Sequence, residues 1–133
     1  MSEKSGNVNP EELARLCAQV ADDRKAGNVM ILDVSKFSTI ADYFVLCTGN
    51  SEPHLKAIGD RIGREVKEQL KIKPRTVEGT PSSQWVLLDY ITVLVHIMTP
   101  DMRELYNLES LWGDAPSLEA VKAVEDKVAG QKA

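Results

Sequence analysis

Residues 84–113 read QWVLLDYITVLVHIMTPDMRELYNLESLWG, and the alternation in the first half of this run decides the architecture. Successive side chains of a strand point to opposite faces, with a period of two. With Asp89 to Thr92 as an even-length connection, Val86, Leu88, Val93, Val95 and Ile97 share one face of a β-hairpin. Trp85, Leu87, Leu94, His96 and Met98 share the other. The first face is plain core. The second joins an indole, a thioether and a titratable ring, side chains that tolerate a surface part apolar and part wet. The competing reading is a sheet covered on both faces by helices, with His96 satisfied by a neighbouring backbone group. After Pro100 the pattern turns helical and carries Arg103, Leu105, Tyr106, Leu108, Glu109, Leu111 and Trp112. One small core does not absorb all of these, so part of the segment is expected to meet something outside the chain.

Upstream, Asn9, Pro10 and Glu12 supply an N-cap, a first-turn proline and a capping acid. The helix they start has an apolar stripe of Leu13, Leu16, Cys17, Val20 and Ala21, and Gly27 with Asn28 is expected to stop it in the left-handed conformation. VMILDV at 29–34 has the unbroken apolar character of a strand near the centre of a sheet, and YFVLCTG at 43–49 reads as a second buried strand. Ser51 then caps the clearest helix of the chain, with Leu55, Ile58, Ile62, Val66 and Leu70 at helical spacing and charges on the opposite, solvated side. Gly59 and Gly63 cost that helix about 1 kcal/mol each relative to alanine. They are expected to let it approach the sheet closely. A strand around Arg75 to Glu78 ends at Gly79, and GTPSS leads into the hairpin. Beyond residue 114, DAP breaks the pattern, and Ser117 is expected to cap a last, thinly apolar helix with Leu118, Val121, Val124 and Val128.

The fold class is therefore α/β: a single domain with a mixed sheet of about five strands and flanking helices. Residues 9–113 form the domain, 1–8 are a polar N-terminus expected to fray, and 114–133 form a partly helical tail. With 133 residues, 43% of them apolar and 27% charged, the chain is of ordinary globular composition. Such a domain buries about two thirds of the surface its unfolded form exposes, enough without disulfides or metal. The net charge of −4 argues against binding nucleic acid through its phosphates and suits a basic protein partner. No sequence-specific nucleic-acid contact is expected. Cys17 and Cys47, thirty residues apart and without a CxxC spacing, read as buried thiols of a reducing compartment. The N-terminus lacks a leader's apolar run and no stretch reaches the roughly 20 apolar residues of a membrane span. Cytoplasm is the expected location, away from membranes.

The TGNS turn at 48–51, between a strand and a helix, tests the case for catalysis, because backbone N–H groups there suit an anion. It resembles the phosphate-cradling turn of nucleotidyltransferases. That chemistry needs paired carboxylates to hold Mg²⁺, and the strand that follows offers Glu78 alone, with no Asp-x-Asp anywhere in the chain. His54 and His96 lie on different elements with no adjoining ligand at metal spacing, and Cys47 sits in an apolar strand where a thiol is inert. No catalytic residue, metal or cofactor is expected.

The runs W-x-L-x-D-Y at 85–90, V-x-V-H-I at 93–97 and R-x-x-Y-x-L-E-x-L-W at 103–112, with ADYFVLCTGNS at 41–51 and VEG at 77–79, resemble the ribosomal silencing factor family, also called the Iojap family. The resemblance spans roughly residues 10–114. It implies a nucleotidyltransferase-like topology without its catalytic acids. It also implies a cytoplasmic protein that docks on the large ribosomal subunit, against that subunit's protein number fourteen, and sterically blocks subunit joining when nutrients are scarce. On that resemblance the contact residues are Trp85, His96, Met98, Arg103, Tyr106, Leu108, Glu109 and Trp112. The spacing of Leu108 and Trp112 suits core as well as contact, and Arg103 has Glu109 or Asp101 as an alternative internal partner. A homodimer through the same face, and a nucleotide-binding or nucleotidyltransferase-like activity, are the competing readings. The chain departs from the family at the hairpin turn, where Ile91 and Thr92 replace a glycine and an acid, and a β-branched residue resists the positive φ of a tight turn.

Overall fold

The computed structural model describes residues 8–36, 38–107 and 117–118. Helix α1 (Pro10–Asp23) begins where expected, with the Asn9 carboxamide oxygen accepting the Glu11 and Glu12 N–H groups at 2.8 and 3.1 Å. It stops earlier than the Gly27–Asn28 pair. The Lys25 N–H reaches Asp22 O at 2.9 Å and the Ala26 N–H reaches Ala21 O at 3.0 Å, the paired closure of a Schellman motif, with Lys25 at φ 66°. Gly27 and Asn28 instead open strand β1 (Gly27–Asp33), where Asn28 at φ 44° sits in a register shift against the next strand.

Strand β2 (Tyr43–Thr48) is followed by helix α2 (Glu52–Leu70), whose cap is the Ser51 hydroxyl accepting the His54 N–H at 3.2 Å. Strand β3 (Thr76–Thr80), a short 3₁₀ turn (Pro81–Ser83), strands β4 (Trp85–Asp89) and β5 (Val93–Met98), helix α3 (Pro100–Tyr106) and the two-residue strand β6 (Ser117–Leu118) complete the described elements. The sheet runs β3-β4-β5-β2-β1-β6 and is mixed: β5 and β2 pair parallel, the other neighbours antiparallel. β2 and β5 are thus the central strands. The VMILDV strand lies one place from an edge rather than at the centre, and its outer neighbour is β6. Ser117 is a strand residue opposite Leu32 and not a helix cap, and the other tail positions read as helical lie outside the described residues.

The two faces of the hairpin are those that the alternation dictates. Val86, Leu88, Val93, Val95 and Ile97 join Cys17, Leu55, Ile58 and Ile62 in a core under α1 and α2. Leu32, Val34, Phe44, Leu46 and Leu94 form a second buried cluster on the other face, with Leu87 packed against it. Full burial of each such side chain stabilises the fold by about 1.5–3 kcal/mol. The turn between β4 and β5 is tight despite its β-branched residues. Thr92 N–H closes on Tyr90 O at 2.9 Å, a γ-turn pattern, with Ile91 at φ 77°. The Asp89 carboxylate offsets that strain by accepting the Ile91 N–H at 2.7 Å while pairing with Arg75 at 2.7 Å.

The glycines of α2 do not draw it onto the sheet. A β-carbon on Gly59 would meet Ile97 and Val86 at the ordinary distances of 3.6 and 3.9 Å, and one on Gly63 would meet nothing within 4 Å. Gly63→Ala is therefore expected to raise stability by about 1 kcal/mol, since it removes helix-disfavouring backbone freedom at no steric cost. Urea unfolding measures this, and a loss of stability would mean that the site is occupied in solution.

Candidate functional site

Two left-handed residues and a threonine cap place the hairpin's second face against α3. Gly79 has φ 78°, and a β-carbon there would lie 2.1 Å from the Trp85 carbonyl oxygen, so the β3–β4 connection closes only around glycine. Gln84 follows at φ 67°. Its carbonyl accepts the Thr99 N–H at 3.1 Å and its side-chain oxygen accepts the Thr99 hydroxyl at 3.2 Å. Thr99 in turn caps α3 by accepting the Met102 N–H at 3.4 Å. Pro100 occupies the first turn, where no N–H is needed. The start of α3 is thereby tied to the start of β4.

The result is a run of rings from solvent into the core. Tyr106 stacks on Trp85 with centroids 4.9 Å apart and planes tilted by 53°. The Trp85 indole N–H donates to His96 Nδ1 at 3.2 Å, and His96 meets the buried Phe44 edge-on at 5.1 Å. Tyr106 is 51% exposed and its neighbour Leu105 70% exposed, while Trp85 is half-buried. Each such aromatic contact is worth about 0.5–1.5 kcal/mol beyond the area it buries. The stack therefore presents a braced apolar surface.

His96 is beneath that surface, not part of it. Because Nδ1 accepts from Trp85, the ring proton belongs on Nε2, which is buried and has no hydrogen-bond partner among the described residues. Desolvation holds the His96 pKa down at about 4, against an ordinary 6.5. The unfolded chain therefore takes up a proton between these values that the folded chain refuses. Stability is full above pH 6.5 and falls as the pH drops toward 4, with up to about 3 kcal/mol lost from this group. Urea unfolding between pH 4 and 7.5 reads the slope. His96→Gln, which keeps an acceptor for Trp85, is expected to flatten it, and an unchanged slope would show that other groups set the acid limit.

Met98 and Arg103 are buried as well. Met98 is 0% exposed in the sheet. Arg103, 6% exposed, donates from Nη1 to Asn28 O at 2.7 Å and to Thr48 Oγ1 at 3.0 Å, fastening α3 to β1 and β2. Glu109, its other candidate partner, lies, like Leu108 and Trp112, outside the described residues. Of the residues singled out by resemblance, Trp85 and Tyr106 are brought together within reach of solvent. Leu105 is exposed beside them, although its helical spacing to Leu108 and Trp112 would also suit core. The helix has only seven residues, and Asn107 caps it at φ 42°. Gln84 and Thr99 carried no signal at all, since their pairing depends on the left-handed turn between β3 and β4.

The TGNS turn is filled by the chain itself. Gly49 N–H donates to Met98 O at 2.9 Å and Asn50 N–H to His54 Nδ1 at 2.9 Å, while His54 Nε2–H donates to Arg24 O at 2.8 Å. Two of the turn's backbone donors, the Gly49 and Asn50 N–H groups, are thus used within the chain. Gly49 is explained by packing, since a β-carbon would come within 2.7 Å of Leu55 Cδ2. Both cysteines are fully buried, and burial pushes the Cys47 thiol up to about 12, so neither is a thiolate nucleophile near neutral pH. No group of three His, Cys, Asp or Glu among the described residues is placed to hold a metal ion.

This fold occurs in known proteins. Residues 7–133 match the family described as "Ribosomal silencing factor during starvation". The chain is 42% identical over 112 residues to the ribosomal silencing factor RsfS of Halalkalibacterium halodurans, covering 84% of this chain and 95% of that protein. It is 39% identical to RsfS of Bacillus subtilis, covering 82% and 92%, and 36% identical to the chloroplastic protein Iojap of Arabidopsis thaliana, covering 77% of this chain but 42% of the plant protein. A crystal structure from Chromobacterium violaceum superposes with a TM-score of 0.75 at 31% identity, covering 80% of this chain and 88% of the other. One from Bacillus halodurans gives 0.69 at 37%, covering 82% and 98%. The class defined is a regulatory α/β domain that is not an enzyme. The chain belongs to the ribosomal silencing factor family, RsfS or Iojap.

Proposed function

We propose that this protein docks on the large ribosomal subunit through that subunit's protein number fourteen and blocks small-subunit joining by occupying the space between them, in the cytoplasm. The observation that carries the reading is the Tyr106–Trp85 stack, exposed at its outer end beside Leu105 and braced from within by His96. Rigid aromatic anchors of this kind supply most of the free energy of protein interfaces, each worth about 2 kcal/mol or more. The net charge of −4 complements a basic ribosomal protein and speeds encounter. No cofactor or turnover is involved, because exclusion of volume suffices.

Sedimentation through a density gradient tests the docking step. The native chain is expected to travel with free large subunits and not with small subunits or joined particles. A chain that stays at the top of the gradient in the presence of excess large subunits would remove the reading. Sedimentation of the chain alone over a range of concentrations tells whether the same face makes a homodimer that competes with the ribosome.

A further inference from the structure

The geometry points to a second contact surface, at the carboxyl end of α2, that binds the ribose-phosphate backbone of RNA. The net charge of −4 hides a segregation of charge. Residues 56–75 hold Lys56, Arg61, Arg64, Lys67, Lys71, Lys73 and Arg75 against only Asp60, Glu65 and Glu68, although the chain has 16 basic and 20 acidic residues in all. Three of these cations are spent internally: Lys56 on Asp60 at 2.7 Å, Arg61 on Glu65 at 3.3 Å and Arg75 on Asp89 at 2.7 Å. The other four, Arg64, Lys67, Lys71 and Lys73, are exposed, and none has an ion-pair partner among the described residues. They rim one open cavity of about 570 Å³, in which Glu68 is the only acid among the described residues.

Arg64, Lys67 and Lys71 follow one another at spacings of three and four, so they form a single stripe about 10 Å long at 1.5 Å per residue. Like charges at these spacings repel and destabilise a helix, so the stripe is not explained by local stability. Lys67 and Lys71 do complement the carbonyl end of the helix dipole. Arg64 lies too far back for that and Lys73 lies beyond it. A string of unpaired cations at one end of an acidic protein suits a polyanion that displaces its counterions. A membrane surface fits less well, because the apolar side of α2 (Leu55, Ile58, Ile62, Val66) is 0% exposed against the sheet and cannot enter lipid. The choice of RNA among polyanions rests on the ribosomal docking proposed above; the phosphate contact itself does not.

The test measures binding of the full-length chain to deproteinised large-subunit RNA by fluorescence anisotropy between 50 and 200 mM salt. Four phosphate contacts predict an affinity about 50-fold lower at the upper salt for single-stranded RNA and about 150-fold lower for a duplex. The variant Arg64→Gln/Lys67→Gln/Lys71→Gln/Lys73→Gln is expected to bind at least tenfold more weakly at 50 mM, to lose most of the salt dependence, and to keep the native affinity for isolated protein number fourteen. Lys67→Glu/Lys73→Glu repeats the test with only two changes, and the melting curve of each variant verifies its fold. Equal RNA affinity for native and variant chains overturns the proposal, as does absence of RNA binding by the native chain. Binding to phosphatidylserine vesicles without binding to RNA overturns it in favour of a lipid surface. Failure of the native chain to sediment with intact large subunits would instead count against the docking reading, whatever the RNA result.

Discussion

Gly79→Ala is expected to lower the stability of the fold by about 3 kcal/mol or more and its melting temperature by about 10 °C. Two terms act together. The left-handed φ of 78° is strained for any residue with a β-carbon, and that carbon would sit 2.1 Å from the Trp85 carbonyl oxygen, a backbone atom with no rotamer to escape into. Alanine's smaller unfolded-state entropy returns less than 1 kcal/mol. Relief therefore requires the β3–β4 connection to shift, which moves Gln84, loosens its two hydrogen bonds to Thr99 and tilts α3 away from Trp85. Ribosome binding is expected to fall with stability, since both depend on this turn. Thermal unfolding followed by circular dichroism measures the first effect. A melting temperature within a degree or two of native would mean that the connection is not built as described.

Tyr106→Ala is expected to weaken binding to large subunits by about 30-fold, the effect of about 2 kcal/mol at an interface anchor. Its ring is half in water and stacks on Trp85, so the fold should tolerate its removal. Trp85→Ala removes the support of Tyr106, leaves His96 Nδ1 without its donor, and is expected to reduce both binding and stability. Trp85→Phe helps to separate the two effects: it keeps an aromatic ring beneath Tyr106 while losing the indole N–H and part of the ring area. Titration of labelled variants against purified subunits, with melting curves in parallel, gives both quantities. If Tyr106→Ala and Trp85→Ala bind as the native chain does, the stack is structural and the docking surface lies elsewhere.

The hairpin was legible because its cue is local. Alternation with period two assigns Val86 and Trp85 to opposite faces without knowledge of any other strand, and both faces are as that rule requires. The place of β1 was not legible, because an unbroken apolar run shows burial on two faces but not which edge a two-residue strand will cover. The end of α1 shows a different limit. Gly27 is a better left-handed residue than Lys25, yet the Schellman closure falls on Lys25 and the glycine serves the start of β1. Ile91 is a third case, since a carboxylate at Asp89 sustains a positive φ that the residue itself disfavours.

For the candidate site, the motif marked positions without saying which reach the surface. Trp85, His96 and Met98 share a face of the hairpin, but Met98 is sealed and His96 supports the indole from below. Arg103 reads as a charge for a partner and serves as a buried clamp on two backbone strands. Depth beneath a surface is a tertiary quantity, set here by how α3 crosses the sheet after Thr99. Charge behaves in the same way. The net value pointed away from phosphate, whereas the distribution along α2 creates a basic end on an acidic protein.

The most direct test of the proposed steric block is the rate at which purified small and large subunits join, followed by light scattering, with this protein first bound to the large subunit at saturation. Joining is expected to slow in proportion to occupancy by the native chain and to recover with Tyr106→Ala at the same concentration. Joining at the full rate on large subunits shown to carry the native protein would contradict it.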